Sequence, residues 1–400
     1  MCFGCEIEAL VAEMACPGDP ASNLPLTTQH VLHGLWETSP ALAGYLQQDS
    51  QEFFSALVNA LHAHTTCEVD GRRATASGGA GAAPADGGAG GTASGTADLP
   101  REETPTAPCS PSQADRNGNV ACTCVAHASF GGVLRSRVEC TACQHASDVF
   151  EAFFDISLDV PSAAAGERGA GASLEGCLST FVAPEVVSST SATEPCAGCG
   201  ARADRRKRYA VRALPDVLAL HLKRFESTVP ARGGASDLRK TDAFVTFPLA
   251  GLDVRPYVSA DLCACQRDAG HARAGAPPPP CDCFRYDLVG MVEHTGELGA
   301  GHYVSFVKSG GAWFRFDDSL IARVAPADVS AGQAYMLFYT RRGRASAVDL
   351  RLDLGGPGEG HTRSVVSLSS VLSVLSVVSS GDSGSGSEAA AAEEERSEGE

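Results

Sequence analysis

His294-Thr-Gly, then Gly301-His302-Tyr303-Val304-Ser305-Phe306-Val307, then Trp313-Phe314-Arg315-Phe316-Asp317-Asp318 is the stretch whose reading decides the fold. Residues 303–307 are aromatic and β-branched, which predicts a strand. Ser309-Gly310-Gly311 predicts a turn, because glycine takes positive φ at little cost. Residues 313–316 then form the returning strand. Such a hairpin sets His302, at the start of one strand, beside Asp317, at the end of the other. An imidazole with a carboxylate on one ring nitrogen has a fixed tautomer and serves as the orienting half of a nucleophilic triad. Taken alone, two polar residues at this spacing read equally well as surface groups.

The surrounding chain predicts a mixed fold. Ala334 to Tyr339 reads as a closing strand, and Leu214 to Phe225 as a buried strand with a charged exit at Lys223-Arg224. Within it His221 reads as a structural histidine. Ile7, Leu10, Val11 and Met14 predict a short buried helix over 5–16, and a second helix is expected over 28–36. Gln47-Gln48-Asp49-Ser50-Gln51-Glu52 opens a third, with Asp49 and Glu52 in capping-box spacing and Phe54, Leu57, Val58 and Leu61 as its apolar stripe. Residues 71–117 are an Ala/Gly/Ser/Thr/Pro-rich insert that buries too little apolar surface to offset its ordering entropy. Residues 161–173 and 227–237 read as smaller loops, and the chain beyond Arg342 as a tail. In that tail, residues 364–380 read as a Ser-rich disordered segment rather than a partner helix.

The chain has 400 residues, 44% of them hydrophobic, so it can bury a real core. Its formal net charge of −17 does not fit nucleic-acid binding through a basic face. No uninterrupted apolar run reaches the length of a membrane span, and the amino terminus lacks the pattern of a secretory signal. Sixteen cysteines without such a signal predict metal ligation rather than disulfides, in a nuclear or cytoplasmic setting.

Cys140-Thr-Ala-Cys143 and Cys196-Ala-Gly-Cys199 supply four thiolates for a tetrahedral, structural Zn²⁺. Cys122, Cys124 and His127 form a second cluster with one ligand position open; His62, at the end of the third helix, is the candidate for it and His64 the competitor. Cys2 and Cys5 look like half of a third site. Cys263-Ala-Cys265 and Cys281-Asp-Cys283 flank a proline run and read either as zinc ligands or as unpaired loop cysteines.

Gly-His-Tyr, the hairpin, Trp-x-x-Phe-Asp-Asp and the closing strand resemble the His/Asp box of the ubiquitin-specific proteases. The Gln-Gln-Asp-x-x-Glu-Phe helix start and the Leu-Pro … His-Leu-Lys-Arg-Phe strand resemble further signatures of that family. The resemblance covers roughly residues 1–342 without the inserts and is nearest to the SAGA-type enzymes. It implies an α+β, papain-like fold with a helical thumb over 1–67, an insert over 68–117, fingers and palm over 118–342 and a disordered tail over 343–400. It implies His302 as general base and then acid, Asp317 as its orienter, and Asp318 beside it as a backup orienter or a polar contact to the reacting centre. Gln48, Asp49 and Glu52 would face the basic tail of ubiquitin, and the Cys140/Cys143/Cys196/Cys199 zinc would hold the tip of the fingers. The implied partners are ubiquitin, ubiquitinated proteins such as a histone, and coactivator adaptor subunits, with no direct nucleic acid and no membrane. The family's Gly-Asn-Thr-Cys nucleophile box is not in the sequence, and Cys2, Cys5 and Cys16 lack its flanking residues. The chain is therefore expected to be a fragment of an active enzyme, the other reading being a non-catalytic ubiquitin-binding scaffold.

Overall fold

The structure is a computed structural model. It describes residues 29–44, 48–76, 114–115, 118, 120, 122, 124–161, 172–188, 194–228, 237–259, 282–297, 300–318, 320–343, 349–352 and 364–367; for 64–76, 226–228, 237–238, 300, 349–352 and 364–367 it describes the backbone alone. The expected helix over 5–16, Cys2, Cys5, Cys263, Cys265, Cys281 and nearly all of the insert lie outside these residues; Cys283, read as a zinc ligand or an unpaired cysteine, is instead disulfide-bonded.

Helix α1 spans Gln29–Thr38 and α2 spans Ser50–Ala76, running past the expected start of the insert. Short helices α3 (Val125–Phe130), α4 (Leu174–Val182) and α5 (Pro326–Ala331) follow. Strands β1 (Gly132–Cys140), β2 (Ala146–Phe153), β3 (Asp155–Asp159), β4 (Ala172–Ser173), β5 (Glu185–Val187) and β6 (Arg205–Ala213) make up the first half of the strand set. Next come β7 (Val217–Lys223), β8 (Phe225–Thr228), β9 (Asp237–Lys240), β10 (Val245–Thr246) and β11 (Leu252–Asp253). The last are β12 (Arg285–Glu297), β13 (Ala300–Ser309), β14 (Ala312–Asp317), β15 (Leu320–Val324) and β16 (Ala334–Arg341). Within the predicted tail, Asp349–Leu352 pairs antiparallel with Ser364–Ser367, a ladder not expected from the sequence.

Two sheets dominate. The fingers sheet has the order β2-β1-β6-β5. The palm sheet runs β15-β14-β13-β12-β16-β7-β3, with β11 pairing β12. Strands β7 and β16 are near-continuous apolar runs, which suits central positions buried on both faces. Over one face of the palm packs the thumb, where Phe54, Leu57, Val58 and Leu61 of α2 are buried as their helical spacing requires, with Val31 and Leu35 of α1, Phe130, Tyr303, Tyr335 and Phe338. On the other face Leu158, Leu174, Leu220, Tyr286, Leu337 and Tyr339 form a second core. No helix among the described residues is long and apolar enough to cross a membrane.

The charged exit of β7 is half as expected. Lys223 is exposed and pairs with Asp159 at 3.0 Å. Arg224 is instead fully buried. Its Nε donates to the carbonyl of Ala334 at 2.8 Å, and one terminal nitrogen donates to Thr241 at 3.1 Å and Ala243 at 2.8 Å. The guanidinium thus satisfies main-chain acceptors that the end of the sheet would otherwise bury unpaired.

Candidate active site and metal centres

Strands β13 and β14 are joined by the expected glycine turn, with Gly310 at φ +55° and Gly311 at φ +81°. Ser305 pairs with Phe316, and extending that register puts Asp317 on the face of Val304 and His302. His302 Nε2 lies 2.6 Å from Asp317 Oδ1. The histidine side chain is 41% exposed and the aspartate 24%. The hydrogen bond to His302 holds the Asp317 carboxyl below the ordinary carboxylate range, aided by Arg315, whose guanidinium lies 2.7 Å from Oδ2. Asp318 follows at φ +49°, exposed, turning the chain into β15. His302, Asp317 and Asp318 gather their ligand-capable atoms within 4.8 Å, and the group includes no thiol.

The strand beside His302 is fixed from behind. His294 is buried, and burial pulls its pKa down to about 4. It occupies the space a side chain at position 301 would need, since a Cβ on Gly301 would stand 1.9 Å from His294 Nε2. The Gly-His pair of the motif therefore comprises a glycine that admits one histidine and a second histidine that meets Asp317. Lys240 donates to the carbonyls of His294 at 3.0 Å and Gly296 at 2.8 Å, tying the β8–β9 hairpin to β12. His221 bonds Ser157 Oγ through Nδ1 at 2.9 Å, and burial lowers its pKa to about 4, as suits the structural role expected of it.

Asp49 caps α2, its Oδ1 accepting from the backbone N–H of Gln51 at 2.7 Å. Its Oδ2 accepts from the hydroxyl of Tyr335, a buried residue on β16. The expected return bond from Glu52 to Asp49 is not made among the described residues; Glu52 is exposed at the helix start and Gln48 is half-buried. Asp49 thus bonds the second helical N–H, and its carboxylate is held from the palm side by Tyr335.

Both cysteine-rich clusters assemble. Cys140, Cys143, Cys196 and Cys199 lie with their sulfurs within 4.8 Å of one another, as do the ligand atoms of His62, Cys122, Cys124 and His127. Cys143 and Cys196 sulfurs stand 3.7 Å apart, close to the edge of a tetrahedron with zinc–sulfur bonds of about 2.3 Å. Backbone N–H groups of Cys199 and Gly198 draw the Cys196 thiol down to about 6. The Cys143 thiol gains a backbone N–H from His145, yet burial and the other three thiols push it up to about 12. Four thiols so close cannot all ionise without a cation, and a divalent metal fits that donor set. In the second cluster His62 Nδ1 lies 3.2 Å from Cys124 Sγ and 3.7 Å from Cys122 Sγ, and His127 Nδ1 lies 3.2 Å from Cys124 Sγ. His62 thus stands with Cys122, Cys124 and His127; the side chain of His64 lies outside the described ones.

Sequence reasoning missed Arg315, Tyr335 and Lys240. Arg315 carried a weak signal, since it stands two residues from Asp317 on one strand and so shares its face. Tyr335 and Asp49 are 286 residues apart, and no local pattern links them.

Residues 2–339 match the family profile described as ubiquitin carboxyl-terminal hydrolase. The chain is 29% identical over 351 residues to Ubiquitin carboxyl-terminal hydrolase 8 of Saccharomyces cerevisiae, covering 85% of this chain and 61% of that protein. It is 28% identical over 363 residues to Ubiquitin carboxyl-terminal hydrolase 22 of Homo sapiens, covering 85% and 58%. The solved SAGA Ubp8/Sgf11/Sus1/Sgf73 DUB module bound to ubiquitin aldehyde contains a chain that aligns at TM-score 0.59 and 27% identity, over 85% of this chain and 59% of that one. The chain thus spans 58–61% of the length of these relatives.

Proposed function

Because the chain belongs to the ubiquitin carboxyl-terminal hydrolase family, we propose that it supplies the base, its orienting carboxylate and the ubiquitin-holding surfaces of a thiol-dependent deubiquitinase. The reaction is hydrolysis of the isopeptide bond between the ubiquitin carboxyl terminus and a lysine of the modified protein. The observation that carries this reading is the 2.6 Å contact of His302 Nε2 with Asp317. With Nε2–H donated to the carboxylate, Nδ1 keeps its lone pair and is the atom that accepts a thiol proton. The thiolate attacks the terminal glycine carbonyl. The imidazolium then returns its proton to the lysine nitrogen as the carbon–nitrogen bond breaks. Water, losing a proton to the same Nδ1, cleaves the thioester and frees ubiquitin and the thiol. Structural zinc at Cys140/Cys143/Cys196/Cys199 and at His62/Cys122/Cys124/His127 would hold the fingers and their junction with the thumb; it takes no part in the chemistry.

By the likeness to the SAGA module we extend the reading to adaptor subunits, a histone-borne ubiquitin and a nuclear setting. Asp49 and Glu52 would carry negative charge toward the arginines of the ubiquitin tail, a charge-assisted contact of about 1.5–3 kcal/mol.

The test joins a Gly-Asn-Thr-Cys segment in frame ahead of the 400 residues. The completed protein should cleave a ubiquitin–fluorophore conjugate and react with a thiol-trapping ubiquitin probe, and His302→Ala should abolish cleavage. The 400-residue chain alone should do neither. Probe labelling of that chain at Cys2, Cys5 or Cys16, or full activity in His302→Ala, would overturn the assignment.

A further inference from the structure

The carboxylate of Asp317 is shared. Oδ1 meets His302 Nε2 at 2.6 Å, and Oδ2 meets the guanidinium of Arg315 at 2.7 Å. We propose that Arg315 is a positioning residue for the His302–Asp317 pair. The proposal rests on the deubiquitinase reading for its importance, though the geometry stands without it.

Asp317 is the last residue of β14, where a carboxylate is free to swing about its side-chain torsions. A single hydrogen bond from His302 fixes one oxygen but leaves the carboxylate plane free to turn. Arg315 lies two residues earlier on the same strand and so projects to the same face. Its cross-strand neighbour on β15 is Ala322, a side chain too small to compete for that space. The planar guanidinium takes the second oxygen, and the two donors together define the plane of the carboxylate. Oδ1 is then held on the line of Nε2, and Nδ1 is turned outward toward the thiol it must deprotonate.

Arg315 also supplies a positive charge beside an acid that must stay ionised. The other charged or titratable groups around the pair are Asp318 on the adjoining turn, His294 on β12, and Lys240 behind it on β9. Among the described residues, Asp317 forms ion pairs with Arg315 and His302. An exposed ion pair contributes little to stability. The effect of Arg315 is therefore expected in the orientation and ionisation of Asp317, with the melting temperature nearly unchanged.

The experiment has two parts. In the 400-residue chain, carbon-13 NMR follows the titration of the Asp317 carboxyl in wild type, Arg315→Leu and Arg315→Gln. The midpoint should rise toward the ordinary carboxylate value in both variants, and Arg315→Lys, which keeps the charge but not the fork, should restore most of the depression. In the protein completed with the nucleophile segment, Arg315→Leu should lower kcat about tenfold with KM for ubiquitin–fluorophore unchanged, the mark of misplaced catalytic groups rather than lost binding. An unchanged Asp317 midpoint in both variants overturns the proposal whatever the kinetics show. A shifted midpoint in a completed wild type that cleaves nothing would leave Arg315 as the orienter of Asp317 and sink the deubiquitinase reading instead.

Discussion

Asp317 and Arg224 show how one side chain's surroundings set what it does. The depressed pKa of Asp317 has a definite sign in stability. Its contribution is complete above the ordinary carboxyl value of 3.8 and is lost as pH falls through the lower folded value. The difference in melting temperature between wild type and Asp317→Asn should therefore shrink as the pH falls below about 4. A difference that widens on acidification would contradict the assignment. Arg224 makes the opposite point about reading charge. In the sequence Lys223 and Arg224 look alike, yet one is exposed and the other fully buried among carbonyls. Arg224→Met keeps the apolar stem but leaves the carbonyls of Ala334, Thr241 and Ala243 without their donor. It should cost about 3 kcal/mol in urea unfolding, whereas Lys223→Gln should change stability by less than about 0.5 kcal/mol. The pair His302 and Asp317 was legible because a hairpin has two fixed ends and a short turn. Arg224 was not, because only the finished sheet shows which charges it encloses.

At the scale of elements, the fingers depend on their tip. Strands β1 and β6 pair from Val133/Ala213 to Cys140/Arg205 and end at the two cysteine knuckles. The backbone there is held by short bonds, Gln144 N–H to Cys140 at 2.9 Å and Gly200 N–H to Cys196 at 2.8 Å. The purified chain should contain at least two zinc ions by elemental analysis, and Cys196→Ser should lose one. That variant should also lose hydrogen-exchange protection at Gln144 and Gly200 while β12 and β16 keep theirs. An unchanged zinc count would show that the ligands are misassigned. The Cys-x-x-Cys knuckles announced themselves by spacing. The fourth member of the second cluster needed the fold, which brings His62 of α2 to Cys122, Cys124 and His127. The capping box was over-read: Asp49 caps the N–H of Gln51 rather than that of Glu52, and its second oxygen meets Tyr335, a partner that sequence spacing does not reveal.

At the scale of the whole molecule, the expectation of thumb, palm and fingers came from the family resemblance, while a mixed helix-and-sheet fold was legible from the apolar runs of β7 and β16 and the helical stripe of α2. The order of strands was not, because pairing between distant segments leaves no local trace. That order sets the timetable of synthesis. Strand β16 lies between β12 and β7, in the middle of the palm, although its sequence comes after every other strand of that sheet. Until residue 341 has left the ribosome, β7 and β12 face each other across a gap the width of one strand, each offering a row of unpaired backbone groups and an apolar flank. Such open edges invite pairing with other chains. A chain stopped at Gln333 should therefore collect in the insoluble fraction even though it keeps His302, Asp317 and both metal clusters, while one stopped at Gly343 should stay soluble. A soluble, monomeric product from the shorter chain would mean that the palm closes without its last strand. A nascent chain has to shield this half-built sheet from the completion of β12 at Glu297 to that of β16 at Arg341, so its yield should respond to chaperone supply and to translation speed over that interval as well as to changes in the active site.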